Sequence, residues 1–305
     1  MTQIAVALAP VFLAILAGWG ARISRVVPEA AWVGVNRLAY MILAPVFMFT
    51  EIVRADLSFE DLSFAIAGVA SFAAMGVLGF ALWPVAGSGP TFASAHQGVV
   101  RWNTFVILAA SAAVLGPEGA ALVALLMGPG IPVVNVITVS VHSRFGEGQN
   151  ASVRGVLRSL AVNPLLIACL LGLVINLLGL DLPGPAMDFL TIIGRGALGV
   201  TLMCVGAGLD LRSITARPTL MAVAVAMKLL IAPLVFIGIG LAMGLHGLPL
   251  AVLAIAGAAP SPPAAYILTR EMGGDPRFMA GHITATTLLS AVAIPVSLWF
   301  AGMFG

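Results

Sequence analysis

The stretch Ala256–Asp275 reads AGAAPSPPAAYILTREMGGD. Pro260, Pro262 and Pro263 fall within four residues, with apolar helix-like sequence on both sides. Proline removes a backbone donor and clashes with the preceding turn, so no continuous helix crosses this point. In a lipid-immersed chain such a break survives only where protein or a water-filled cavity satisfies the freed backbone groups. The rest of the chain decides whether this break is a kink or a binding site.

Of the 305 residues, 61% are hydrophobic and 9% charged. A soluble protein carries roughly 25% charged residues, so this composition reads as an all-α, polytopic membrane protein. Cys169 and Cys204 lie in apolar runs and read as inert buried thiols rather than a disulfide. The N-terminus lacks a basic leader region and reads as a first transmembrane helix.

About 20 apolar residues cross a bilayer. Ten such segments are expected, at 3–22, 30–53, 62–85, 92–115, 119–142, 160–180, 187–209, 219–243, 249–270 and 279–303. The longest connection, 143–159, is polar and basic and divides the chain into halves at 1–142 and 160–305. Five segments per half is odd, so two similar halves would lie inverted relative to each other, a recurring transporter plan with its site at the midplane. The broken segment 9 is fourth in its half, and its counterpart is segment 4.

Charge fixes the expected orientation. With the N-terminus outside, the inner connections hold Arg22, Arg25, Arg144, Arg154, Arg158, Arg212, Arg217, Arg270 and Arg277. The outer ones hold Arg54 beside Asp56, Glu60, Asp61, Glu118 and Asp181. Both termini then lie outside.

Arg37, Arg101, Arg195 and Lys228 remain inside apolar segments, with no Asp or Glu at similar depth. A charge at the bilayer centre costs on the order of 3 kcal/mol and marks function. Unpaired cations favour an anion as the missing partner. Arg101 sits near the middle of segment 4, in Arg101–Thr104 (RWNT), and reads as a substrate contact. Lys228 reads either as a transport or coupling residue or as a tether to carbonyls of a broken helix. Arg37 and Arg195 are accessory candidates: Arg37 is near enough to a helix end to snorkel, and Arg195 lies seven residues from Asp188.

Asn103, Thr104, Asn135 and Ser261 complete an expected pocket with Pro260 and Pro263, since amides and hydroxyls hold a carboxylate without a full charge. Asn135 follows an expected kink at Gly128–Pro132 (GPGIP). Helix–helix glue is the bland reading of Asn135, and local backbone capping that of Ser261. His96, His142, His246 and His282 are expected near helix ends, as headgroup-region or loop histidines without metal-ligand spacing. No HExxH, GxSxG or Walker A motif is present, so neither an enzyme nor a cofactor is expected.

With these residues laid out, the chain resembles the auxin efflux carrier family, bacterial relatives of the plant PIN carriers that include organic-acid permeases. The resemblance spans the whole chain. It is most specific in AAPSPPAAYILTREMGGDPRF, followed by TATTLLSAVAIPVSLW with Pro295. Asn163-Pro164, Val205–Leu209 (VGAGL), Lys228 with Pro233, and Pro45 also match. What the resemblance implies is a ten-helix inverted repeat similar to bile-acid symporters and sodium–proton antiporters, with segments 4 and 9 crossing. Segments 1, 2, 6 and 7 would form a scaffold, often dimeric, and segments 3–5 and 8–10 a transport domain moving as an elevator. The family's asparagines fall on Asn103 and Asn135, and its lysine on Lys228. The chain departs in three places. No proline follows Asn103, where Leu108–Ala110 stands; the usual segment 7 proline is replaced near Gly199; and segment 3 has no acidic residue to face Lys228, leaving Ser71 or carbonyls. Arg101 is not part of the family pattern.

The expected function is transport of a small organic anion across the bacterial inner membrane, with no nucleic-acid partner. A cation–proton antiporter or sodium-coupled symporter on the same fold is the alternative, and an anion channel is a third reading.

Overall fold

The computed structural model describes residues 2–55, 60–147 and 161–303, and every regular element among them is helical. Asp56, Arg154, Arg158 and most of the central linker lie outside the described residues.

Helix α1 spans Thr2–Ile23. A second rod joins α2 (Glu29–Leu38) and α3 (Ala44–Arg54) through a π-bulge at Ala39–Leu43. The third joins α4 (Glu60–Leu78) and α5 (Trp83–Ala86) through a 3₁₀ turn. Then come α6 (Gly89–Val100) and α7 (Thr104–Phe145). In the second half lie α8 (Pro164–Leu177), α9 (Gly184–Arg195) and α10 (Ala197–Ala207). Next, α11 (Pro218–Ala226) meets α12 (Ala232–Ala242) through a π-bulge at Met227–Ile231. Last are α13 (Gly247–Ala258), α14 (Ala264–Glu271) and α15 (Pro276–Ala301). Both π-bulges immediately precede a proline, Pro45 or Pro233. A residue without a backbone donor breaks the regular ladder there.

Among the described residues seven helices are long and apolar enough to cross a membrane, which makes this a multi-pass membrane protein. The difference from ten expected segments has a physical origin. One of the seven runs from Gly89 to Phe145, 57 residues, which as a straight helix would measure about 85 Å. It contains the expected segments 4 and 5, separated at Gly116 (φ 74°, ψ −165°), a conformation that essentially only glycine adopts. The expected segments 6 and 9 appear as the shorter apolar helices α8 and α13. At Gly128–Pro132 the helix is not interrupted, and Pro129 and Pro132 lie inside it. Gly130 makes room there for the rings of Trp102 and Phe72, which a Cβ would meet at 3.0 and 3.2 Å.

Small residues set the closest approaches. Helix α1 packs on α10, where a Cβ on Gly206 would lie 1.7 Å from the Ile15 carbonyl and one on Gly18 2.0 Å from that of Met203. The VGAGL stretch is therefore a contact seam. Helix α3 packs on α8 and α9, while α13 packs on α12, α15 and α7. At one end of the bundle Arg22 donates to the carbonyls of Ala207 and Leu209 at 2.6 and 3.0 Å. Around Asp275, Arg217 Nε and the Thr91 hydroxyl each reach Oδ2 at 3.1 Å, and Oδ1 caps α15 through the Phe278 amide.

Candidate functional site

The expected break in segment 9 is present and has a partner. Residues Ala259–Pro263 interrupt the helix between α13 and α14, and Arg101–Asn103 interrupt it between α6 and α7. The second break forms without a proline. Asn103 makes it possible, because its side-chain oxygen caps α7 by accepting from the Phe105 and Val106 amides at 3.1 and 3.3 Å. An Asn cap satisfies two of the orphan donors that open a helix.

The two breaks are clasped together. The Asn103 amide donates to the Pro260 carbonyl at 2.7 Å. The Ser261 hydroxyl donates to the Gly98 carbonyl at 2.6 Å, and the Ser261 amide donates to Thr286 Oγ1 at 3.2 Å. Gln97 Nε2 donates to the Ala265 carbonyl at 2.7 Å. Each break thus supplies the partners that proline and chain interruption remove from the other, as burial requires.

Arg101 reaches out of this clasp. Its Nη2 donates to Asn135 Oδ1 at 2.5 Å and to Thr138 Oγ1 at 3.2 Å. Tyr40, in the first π-bulge, lies in the neighbourhood of both Arg101 and the Asn163 side chain. Arg101, Thr104 and Asn135 stay partly accessible, whereas Asn103, Pro260 and Ser261 are buried. Two donors here, Arg101 Nε and Asn103 Nδ2, are buried and have no acceptor among the described residues. A buried donor left unpaired is costly, so the site has unmet capacity for an acceptor.

The remaining candidates fall elsewhere. Lys228 is 2% exposed, in the second π-bulge, which packs against α6, α13 and α15. Ser71 does not depend on it, since its hydroxyl donates to the Ala67 carbonyl at 2.7 Å. Pro263 opens α14 and is partly buried. Arg37 and Arg195 are exposed and join none of these contacts.

The expectation for the histidines is corrected. His96, His142 and His282 are fully buried. Position along the chain hid this, because a residue near a helix end is still buried where neighbouring helices cover that end. His96 meets the Gly76 carbonyl at 2.8 Å, and His142 meets that of Thr138 at 3.0 Å. Sequence reasoning also passed over Gln97, Thr138, Tyr40 and Thr286. Gln97 was detectable as the polar residue one turn before Arg101, and Tyr40 as the polar residue five before Pro45.

A family model described as "Membrane transport protein" matches residues 3–91 and 149–298. The intervening residues 92–148 contain the proline-free break together with Arg101, Asn103 and Asn135. A protein of Methanothermobacter thermautotrophicus described as an uncharacterized transporter is 28% identical over 304 residues, 95% of each chain.

Proposed function

As this chain belongs to the membrane transport protein family, that of the auxin efflux carriers, we propose that it is a secondary transporter of a small organic anion. The observation that carries this reading is the pair of buried, acceptor-less donors at the proline-free break, Arg101 Nε and Asn103 Nδ2. A carboxylate is the ligand that suits them: it is acceptor-only, and charge-assisted bonds to arginine are the strong ones. No Asp or Glu is among the buried residues described, which disfavours the antiporter or sodium-coupled alternative, since a bare cation needs such ligands.

In this reading the ten segments cross as an inverted five-plus-five repeat in the bacterial inner membrane, with both termini outside. Segments 1, 2, 6 and 7 act as a scaffold that pairs with a second copy. Segments 3–5 and 8–10 carry the site as an elevator, with Lys228 and the break residues Pro260, Ser261 and Pro263 inside it. The grouping is supported by the packing of α1 on α10 and of α3 on α8 and α9. Tyr40 and Asn163 belong to the scaffold side and Arg101 to the moving side, which puts the anion at the seam between them.

Uptake of radiolabelled mono- and dicarboxylates into proteoliposomes tests this. Saturable flux that Arg101→Ala reduces by roughly 10- to 100-fold is expected, the equivalent of one charge-assisted hydrogen bond. Carboxylate flux equal in wild type and Arg101→Ala would overturn the site, and non-saturating conductance would favour a channel.

A further inference from the structure

The hydrogens of the Arg101 guanidinium are divided unevenly. Nη2 has two, and both are taken: one goes to Asn135 Oδ1 at 2.5 Å and the other to Thr138 Oγ1 at 3.2 Å. Arginine only donates, so the oxygen of the Asn135 amide is the atom that must face it. The Thr138 hydroxyl gives its own hydrogen to the Val134 carbonyl at 2.8 Å, which leaves its oxygen to accept. Arg101 Nε–H, by contrast, is buried and has no acceptor among the described residues.

This division decides how a carboxylate can bind. In the bidentate mode its two oxygens take two parallel N–H groups of the fork. A guanidinium has two such edges, Nε with Nη2 and Nη1 with Nη2. Both include Nη2, so a bidentate anion cannot dock while Asn135 and Thr138 both keep their places. Asn135 is the one able to leave. Thr138 is 0% exposed and held on Val134, whereas Asn135 is partly accessible, as is Arg101. An amide oxygen carries no net charge, so a carboxylate makes the stronger bond to the guanidinium and displaces it.

We propose that Asn135 is a stand-in for the substrate: in the empty protein its Oδ1 holds the position on Arg101 that a carboxylate oxygen takes in the loaded one. The proposal rests on the anion-transport reading. A buried cation stripped of its acceptors is strongly destabilised, and an intramembrane arginine needs partners throughout its path. With Asn135 in place, the unloaded site keeps two acceptors and can recross the membrane. Thr138, three residues on and on the same face of α7, keeps its hold in both states. The protein therefore performs net transport rather than one-for-one exchange.

Ligand-free protein in detergent gives the first test. Arg101→Met and Asn135→Leu should each lower the unfolding temperature. The double variant should lose less than the two losses together, because both remove the same contact. Strict additivity would overturn the contact on which the proposal stands. Proteoliposomes give the second, with labelled malonate as the probe. Wild type should carry malonate into empty vesicles as well as into vesicles preloaded with unlabelled malonate. In Asn135→Leu, malonate should bind about tenfold more tightly and enter empty vesicles about tenfold more slowly, while exchange persists. Asn135→Ala, the smaller change, should show the same split, and Asn135→Gln, which restores an amide oxygen, should recover part of the net entry. Weaker binding, with net entry and exchange lost together, would make Asn135 a direct ligand and overturn the proposal. A wild type confined to exchange would overturn it too. If wild type moves no carboxylate by either route, the anion reading itself falls and takes the stand-in role with it, whereas the ligand-free cycle still reports the contact of Arg101 with Asn135.

Discussion

The backbone amide of Asn103 donates to the carbonyl of Pro260 at 2.7 Å, joining two interrupted helices from opposite halves of the chain. Neither break is stable alone in an apolar interior, because each exposes backbone groups that water cannot reach. Together they form a closed polar island, from which Arg101 extends toward Asn135 and Thr138.

Asn103 is expected to matter through its side-chain oxygen as well as its amide. Asn103→Ala removes the acceptor for the Phe105 and Val106 amides and should cost about 1–2 kcal/mol. Asn103→Ser keeps a capping oxygen and should recover most of this. Thermal unfolding in detergent compares the two, and equal losses would exclude capping as the reason.

Ser261→Ala should leave the Gly98 carbonyl and His282 Nδ1 without their shared partner, at a cost of about 1–3 kcal/mol. Gly98→Ala attacks the same ring from the other side, since its Cβ would lie 2.8 Å from His282 Nδ1. The double variant should be less destabilised than the sum of the singles, because both act through one imidazole. Simple additivity in a double-mutant cycle would show that the ring is not the common element.

Asn135→Asp places a fixed carboxylate where Asn135 Oδ1 now meets Arg101. The guanidinium stays in place but gains an internal counter-ion. Anion uptake should fall as far as in Arg101→Ala, while thermal stability falls less. Preserved uptake in Asn135→Asp would show that the free charge of Arg101 is not needed.

Gly206→Ala should separate α1 from α10, because its Cβ would fall 1.7 Å from backbone that cannot yield. A methyl group on Gly199, in the same helix, would meet nothing within 4 Å, so Gly199→Ala should be neutral or slightly stabilising. Overpacking of the kind expected at Gly206 costs typically about 1–3 kcal/mol or more. Detergent-solubilised yield and unfolding temperature should rank Gly206→Ala well below Gly199→Ala.

Asp210 lies beyond the end of α10 and holds its carboxyl below the usual carboxylate range, first through the hydrogen bond from the Ser213 hydroxyl, at 2.6 Å. Such a group stabilises the fold fully above the ordinary carboxylate pKa, and the contribution is lost as pH falls through the depressed value. Ser213→Ala should therefore narrow the stability gap between pH 7 and pH 3. An unchanged pH profile of unfolding would mean that the bond does not persist in solution.

Much of this was legible in one dimension. Low charge and apolar length identify a membrane protein, and three prolines around Ser261 fix the second break, because these are local properties of the chain. Arg101 was marked for attention by its cost in lipid. The first break was expected in segment 4 as the counterpart of segment 9, but its cause was not legible, since no proline marks it and it depends on an Asn cap whose own amide is satisfied by Pro260, more than 150 residues away. Nor was the close approach of Trp102 and Phe72 to Gly130. The placement of His282 and Tyr40 also required the tertiary structure. Sequence alone determines which residues are expensive to bury, whereas only the packing decides which partners make that burial tolerable, and those partners come from distant segments.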